Sequence, residues 1–371
     1  MREGGKRSLW SFSLASFFND LGSDMVAPIW PIFLTSILGA NVALLGLIDG
    51  IAIAVVAVSK GLAGWWSDRA GKRKPFIVAG YSFSGLSRLG YYLSPSYWAV
   101  IPFKVLDRFG KIRGAPRDAM MAEITTKKER GRSFGLLRSM DTLGALVGTL
   151  VTLLIINILT IRNILLLAVI PSFISVIIIY FFVEERRGRS VFKGFSLEMK
   201  PLLRNFLILM SFFVFFSVTY SFLIVFARDA GLGTQDTTLM YLLLNIVYFI
   251  AAYQFGRLSD KVSRFKVMII GVGLFALTCV AALMGSILSM FLLFGLYLAV
   301  FDPVQKTIVS ELAPKNRRGG IIGTFQMITG LVAIPGGLFM GLLYDFNPVY
   351  PFIIGLASSL IIALFMLKLK K

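Results

Sequence analysis

Apolar runs of about twenty residues recur twelve times along the 371-residue chain, each long enough to cross a bilayer. They cover 9–37, 43–66, 75–94, 97–122, 133–158, 161–183, 203–228, 236–256, 266–286, 288–312, 321–344 and 348–368. Turns after odd-numbered runs are short, as at Ser94-Pro95-Ser96. The longest polar connection falls midway, from Glu184 towards Lys200. This pattern predicts an all-α membrane protein with twelve transmembrane helices in two six-helix bundles. Residues 1–183 form the first bundle, 184–202 a cytoplasmic linker and 203–371 the second.

Composition agrees: 57% of residues are hydrophobic and 15% charged. A soluble fold could not hide that much apolar surface. The net charge of +19 invites a nucleic-acid reading, but its distribution opposes one. Segments on one predicted side (the N-terminus, 67–74, 123–132, 184–204, 257–266, 311–318 and the C-terminal lysines) carry 27 of the 38 Lys/Arg and 9 of the 19 Asp/Glu. Arg162 is the clearest cation opposite. The positive-inside rule then places both termini in the cytoplasm. Localisation is the plasma membrane, and no cleavage site follows the first run.

The chain has no histidine, and its one cysteine, Cys279, lies inside an apolar run. Proton carriage then falls first to carboxylates, with Lys or Tyr as the less favoured alternative. A Ser-His-Asp triad is excluded, and so is a thiolate metal cluster. No phosphate loop of the G-x-x-x-x-G-K-S/T type occurs, which argues against ATP-driven pumping. We expect no enzyme activity, no cofactor and no metal.

Between the second and third runs stands Gly64-Trp65-Trp66-Ser67-Asp68-Arg69-Ala70-Gly71-Lys72-Arg73-Lys74. It resembles the cytoplasmic loop signature of the major facilitator superfamily, G-x-x-x-D-R-x-G-K/R-K/R, at Gly64, Asp68, Arg69, Gly71, Lys72 and Arg73. A second copy keeps Gly256, Asp260 and Lys261 but has Ser263 in place of the second glycine. Glu123, Arg130, Gly131 and Gly135 also recur, at Glu311, Arg318, Gly319 and Gly323. The offsets, 192 and 188, are nearly equal, which argues for duplication. The resemblance implies two parallel six-helix halves around a midplane site, with alternating access. It also implies a gating role for the loop residues, for Gly256 and Asp260, and for Asp118 beside them.

Ionisable groups inside spans are costly and mark function. The cations are Arg88, Lys104, Arg108, Lys111, Arg113, Arg117, Arg138 and Lys306; the anions are Asp20, Asp24, Asp49, Asp107, Asp118, Asp141 and Asp302. All but Asp302 and Lys306 belong to the first half. Helical spacing puts Lys104, Asp107, Lys111 and Asp118 on one face of span four, able to neutralise one another. Arg113 and Arg117 lie elsewhere and need partners from other helices or from substrate. Counting ~1.5 Å per residue, Asp20 and Arg108 lie near the midplane, while Asp24 and Asp49 lie nearer the outer face. We expect Arg113 to pair with Asp141, and Asp20 and Asp24 to face Arg108. Asp20 and Asp24, one turn apart, cannot both ionise cheaply, which suits a reversible proton site; a hard cation held with Asn19 and Ser23 is the other use of that cluster. The substrate or proton candidates are therefore Asp20, Asp24, Asp49, Asp107, Arg108, Arg113, Arg117, Arg138 and Asp141.

Arg108 resembles the arginine of the family's fourth-span motif. Gly144-x-x-x-Gly148 is similar to the antiporter motif, with Thr149 where proline belongs, and also suits tight helix packing. Pro28, Pro31 and Pro335-Gly336-Gly337 predict breaks in spans one and eleven. The Phe-rich stretch from Phe212 to Phe226 predicts either an apolar wall or packed aromatics, and Asn245 and Gln326 are polar groups able to read a substrate. The expected function is secondary active transport of a small solute, proton-coupled, exporting amphipathic or drug-like compounds, by a monomer in the lipid bilayer with no nucleic acid. The alternatives are organic-anion transport through the span-four arginines and a membrane sensor or scaffold without flux.

Overall fold

The computed structural model describes residues 3–126, 129–185, 198–314 and 318–369. The described residues form helices and connecting turns only. They run α1 (Glu3–Val26), α2 (Trp30–Ile32), α3 (Val42–Ala70), α4 (Lys74–Leu93), α5 (Tyr97–Phe109), α6 (Gly114–Ile124), α7 (Arg130–Ile155), α8 (Ile161–Leu167) and α9 (Val169–Phe182). They continue with α10 (Pro201–Phe215), α11 (Tyr220–Asp229), α12 (Thr234–Lys261), α13 (Arg264–Leu283), α14 (Ile287–Leu312), α15 (Arg318–Phe346) and α16 (Tyr350–Lys368). Each predicted apolar run coincides with one helix or with a broken helix. Among the described residues, nine helical segments are long and apolar enough to cross a membrane. The runs outside those nine, in α1, α4 and α5–α6, carry most of the internal charges.

The chain divides into two units: residues 1–30 with 55–192, and residues 31–54 with 193–371. α3 is continuous, so its opening turns belong with the second unit and its remainder with the first. Within the first unit α1 packs on α7 and α9, and α4 packs on α5 and α9. Within the second, α10 packs on α15 and α16, and α13 on α14 and α16. The same four pairings therefore recur in each unit, as a duplicated chain requires.

Glycine sets the closest approaches. A Cβ at Gly144 would lie 2.3 Å from the Phe17 carbonyl oxygen, and one at Gly148 2.1 Å from that of Leu21. These two glycines let α7 lie backbone to backbone on α1. Thr149 is buried and bonds the Ala145 carbonyl at 3.0 Å and that of Asp24 at 3.4 Å, while Thr152 bonds the Met25 carbonyl at 2.9 Å. Where the antiporter motif has proline, this chain gains a link from α7 to the last turn of α1.

The breaks follow prediction in span one but not in span eleven. α1 stops at Val26, and after α2 the chain takes a π-helical turn at Phe33–Ile37. α15 instead runs unbroken through Pro335. Proline removes one backbone hydrogen bond there, but the neighbours hold the helix. A Cβ at Gly336 would meet the Phe215 carbonyl oxygen at 2.6 Å, and one at Gly337 the Gly46 carbonyl oxygen at 2.1 Å. The same seam ends in a cap: the Asp345 carboxylate accepts from the N–H groups of Val42 at 2.8 Å and Ala43 at 3.0 Å. It satisfies donors that begin α3.

The Phe-rich stretch is split between two environments. Phe213 is buried, stacked on Phe301 at 4.9 Å and edge-on to Phe275 at 5.2 Å, whereas Phe212 is exposed. Cys279 is fully buried. Arg162 donates to the carbonyls of Tyr92 at 2.9 Å and Ser94 at 3.0 Å, closing the end of α4.

The glycine contacts yield a stability prediction. Gly148→Leu forces α7 off α1, costs about 1–3 kcal/mol and lowers the melting temperature in detergent. Gly135→Ala, which has open space around its Cβ, leaves that temperature unchanged or slightly raised.

A buried charge network as candidate functional site

Span four carries the key irregularity. α5 ends at Phe109, a 3₁₀ turn occupies Gly110–Arg113, and α6 begins at Gly114. Gly110 permits it: its Cβ would lie 2.7 Å from the Gly80 carbonyl oxygen, and a Cβ at Gly80 would lie 2.6 Å from that of Gly110. α4 and the 3₁₀ turn thus touch through backbone. The tighter turn advances the helical phase along the predicted stripe of Lys104, Asp107, Lys111 and Asp118, and its carboxylates also meet arginines. Asp107 meets its neighbour Arg108 at 3.1 Å. Asp118 meets Arg117 at 3.1 Å and Arg138 at 3.4 Å. The Lys104 ammonium sits 3.6 Å from the centre of the Trp30 ring, a cation–π contact.

The two arginines that lacked partners on their own helix are buried and find them elsewhere. Arg113 donates to the Gly110 carbonyl at 2.9 Å and to Ser84 Oγ at 3.3 Å, and lies 4.7 Å over the Tyr81 ring. Its carboxylate is Asp20 on α1, at 3.9 Å. Arg117 donates to Ser16 Oγ at 2.6 Å and lies 3.7 Å from Asp141 on α7. Arg138, largely exposed, bonds Asp141 at 3.2 Å. The predicted pairing of Arg113 with Asp141 is corrected: Asp141 belongs to Arg117 and Arg138, and Arg113 belongs to Asp20. The 3₁₀ turn rotates Arg113 towards α4 and leaves Arg117 facing α7. Tyr81 joins the two pairs, since its hydroxyl lies 3.2 Å from Ser16 Oγ.

Burying such ions costs several kcal/mol each unless hydrogen bonds complete the shell. Here Ser16, Ser84, Tyr81 and backbone carbonyls do so. Asn19 donates to Asp20 at 2.8 Å. Arg88, 1% exposed, donates to Ser23 Oγ at 2.6 Å and to the Asn19 carbonyl at 3.2 Å. Ser23 Oγ is thereby engaged with a cation, whereas the buried Asn19 Oδ1 keeps no hydrogen-bond partner. Among the described residues no group of three His, Cys, Asp or Glu side chains is placed to hold a metal ion. The side chains of Asp20 and Asp141 keep 22% and 15% exposure, while Arg113 keeps 5% and Arg117 9%. The carboxylates face the accessible side and the cations lie behind them.

Other predicted site residues fall outside this network. Asp49 belongs to the second unit, where it accepts from Thr219 Oγ1 at 2.8 Å at the break between α10 and α11. Asp24 lies one turn beyond Asp20 on α1, half-buried. Asn245 keeps its buried amide nitrogen without a hydrogen-bond partner.

The loop signature is partly visible. Gly71 has φ +63°, a conformation that favours glycine, whereas Ser263 in the second copy has φ −54°. The missing glycine of the second copy matches a loop that does not turn left-handed. Arg73 is 2% exposed, pairs with Glu123, and its N–H reaches Glu185 at 2.9 Å. Arg264 pairs with Glu311 in the second unit. Each half therefore ties the helix after its loop to the glutamate that the repeat identified. Arg69 and Lys72 are exposed, and Gly256 has open space. The side chains of Asp68 and Asp260, and the surroundings of Gly64, lie outside the described residues.

Sequence reasoning missed Ser16, Tyr81, Ser84 and Trp30. Tyr81, Ser84 and Arg88 recur at helical spacing on α4, a polar stripe that could have drawn attention to them.

Residues 12–247 and 206–371 match the Major Facilitator Superfamily. The chain is 31% identical to an uncharacterised MFS-type transporter of Methanocaldococcus jannaschii, over 97% of this chain and 94% of that one. It is 24% identical to the multidrug resistance protein MdtH of Aeromonas salmonicida, over 91% of this chain and 87% of that one. The crystal structure of the nucleoside transporter NupG superposes with a TM-score of 0.80 at 14% identity, covering 98% of this chain and 99% of that one. With its all-helical fold, its repeated packing and its loop signature, the chain belongs to the Major Facilitator Superfamily and is a multi-pass membrane transport protein.

Proposed function

We propose that this protein is a proton-coupled secondary active transporter that exports amphipathic compounds by alternating access from the plasma membrane, with both termini cytoplasmic. One observation carries the reading: two partly accessible carboxylates, Asp20 and Asp141, each stand before a buried arginine, Arg113 and Arg117. Protonating Asp20 strands Arg113 in low dielectric, and protonating Asp141 leaves Arg117 with Asp118 alone, so proton occupancy and local conformation are coupled. Without histidine in the chain, these carboxylates are the natural carriers. The multidrug resistance relative supports export. The gating role implied for Asp68 and Asp260 belongs to the same cycle.

A second reading, transport of an organic anion, has its own support. Within the first unit the span cations Arg88, Lys104, Arg108, Lys111, Arg113, Arg117 and Arg138 outnumber Asp20, Asp24, Asp107, Asp118 and Asp141 by two. The proton reading is preferred because the two buried arginines, Arg113 and Arg117, each already hold a carboxylate.

Proteoliposomes with an imposed pH gradient separate the two. Ethidium flux should follow the gradient, and Asp20→Asn or Asp141→Asn should cut gradient-driven flux at least about tenfold, the order expected for losing a positioned proton carrier. Ethidium flux indifferent to the gradient, with salicylate flux abolished by Arg113→Gln, would favour the anion reading. Asp68→Asn should lower flux while sparing expression. In thermal melts, Arg117→Gln and Asp141→Asn should each destabilise. The double variant should lose less than their sum, with a coupling of about 0.5–3 kcal/mol; strict additivity would mean that the pair carries no interaction.

A further inference from the structure

A different feature lies in the second unit, away from the charge network. α10 and α16 run antiparallel and leave between them an apolar groove of about 450 Å³. Its walls include Ile208 and Phe212 on α10 and Ile361 and Phe365 on α16, all exposed. Asn205 and Lys368, at the start of α10 and the end of α16, line the same end. From there to Phe212 and Ile361 is seven residues on either helix, a run of about 10 Å.

The polar end is strongly basic. Lys368, Arg204 and Lys200 are all exposed there. The cations outnumber the acidic residues nearby: Glu198 precedes Lys200 by two positions, and 199–228 and 346–371 contain none. Lys200 is the N-cap of α10 and makes no side-chain cap, so the first N–H groups of that helix add positive potential at the same level.

We propose that this groove is a binding site for an anionic phospholipid. The acyl chain lies along the wall of isoleucine and phenylalanine, and the phosphate headgroup meets Lys368, Arg204 and Lys200. An apolar trough ending in an excess of cations at the edge of a membrane span matches both parts of such a lipid. A protein partner fits less well, because the apolar strip is narrow and its charged end would need an acidic complement on a lipid-buried surface.

The test is native mass spectrometry of the full chain in detergent with equimolar phosphatidylglycerol and phosphatidylcholine. Wild type should retain phosphatidylglycerol at least about fivefold over phosphatidylcholine, the factor expected for one favourable cation at a lipid surface. Arg204→Gln with Lys368→Gln, both exposed and safe for folding, should bring the ratio near one while leaving the melting temperature unchanged. Ile361→Trp, which fills the trough, should reduce retention of both lipids. A phosphatidylglycerol preference that survives the charge variant would overturn the proposal. So would a wild-type dimer that Ile361→Trp dissociates, since the groove would then be covered by a second copy of the chain.

Discussion

An ion within a bilayer has no water to turn to, and that constraint organises the first unit. Each charged group in spans one, three, four and five must be met by protein or sit at an accessible edge. The chain meets the requirement in layers. Arg88 is sealed by Ser23 and a backbone carbonyl. Arg113 and Arg117 are sealed on their inner sides by serines, Tyr81 and Gly110. Asp20 and Asp141 form the outer layer. The glycine contacts follow from the same need, because side chains as short as serine reach an arginine on another helix only when backbones nearly touch. Gly80 against Gly110 and Gly144 against Phe17 supply that closeness.

The arrangement also bears on what such a site can do. A fully enclosed pair would be inert, and an exposed one would be screened and weak. Asp20 and Asp141 stand between those limits. Tyr81 and Ser16 join the two arginine layers behind them by hydrogen bond and ring contact. The second unit lacks this density of buried charge. There Asp49 with Thr219, and Asp229 with Tyr344 at 2.7 Å, act across helix ends and breaks.

Much of the fold was legible in the sequence because lipid makes a simple demand: twenty apolar residues or an explanation. The twelve runs, the duplication through Glu123 and Glu311, and the packing role of Gly144 and Gly148 all rest on that demand or on repetition. Pairing was less legible. Arg113 found Asp20 and not Asp141 because a single 3₁₀ turn rotated it, and nothing in Gly-Lys-Ile-Arg announces four residues at three per turn. Asp49 found Thr219 across 170 residues, a separation that local spacing cannot see. The continuity of α15 through Pro335 was misread for a related reason: the neighbours that hold it, Phe215 and Gly46, come from distant parts of the chain.

The cap on α3 ties together two stretches made far apart in time. Val42 and Ala43 give their N–H groups to a carboxylate some 303 positions later. While the ribosome is still making the middle of the chain, those donors have only water or lipid headgroups, and the glycine face at Gly46 and Gly50 has no α15 to lie on. The opening turns of α3 must therefore wait, inserted but unfinished, until Asp345 and the helix that carries it have emerged. Contacts that close so late fold slowly and expose the waiting segment to wrong partners, so maturation of this protein is gated by its eleventh apolar run.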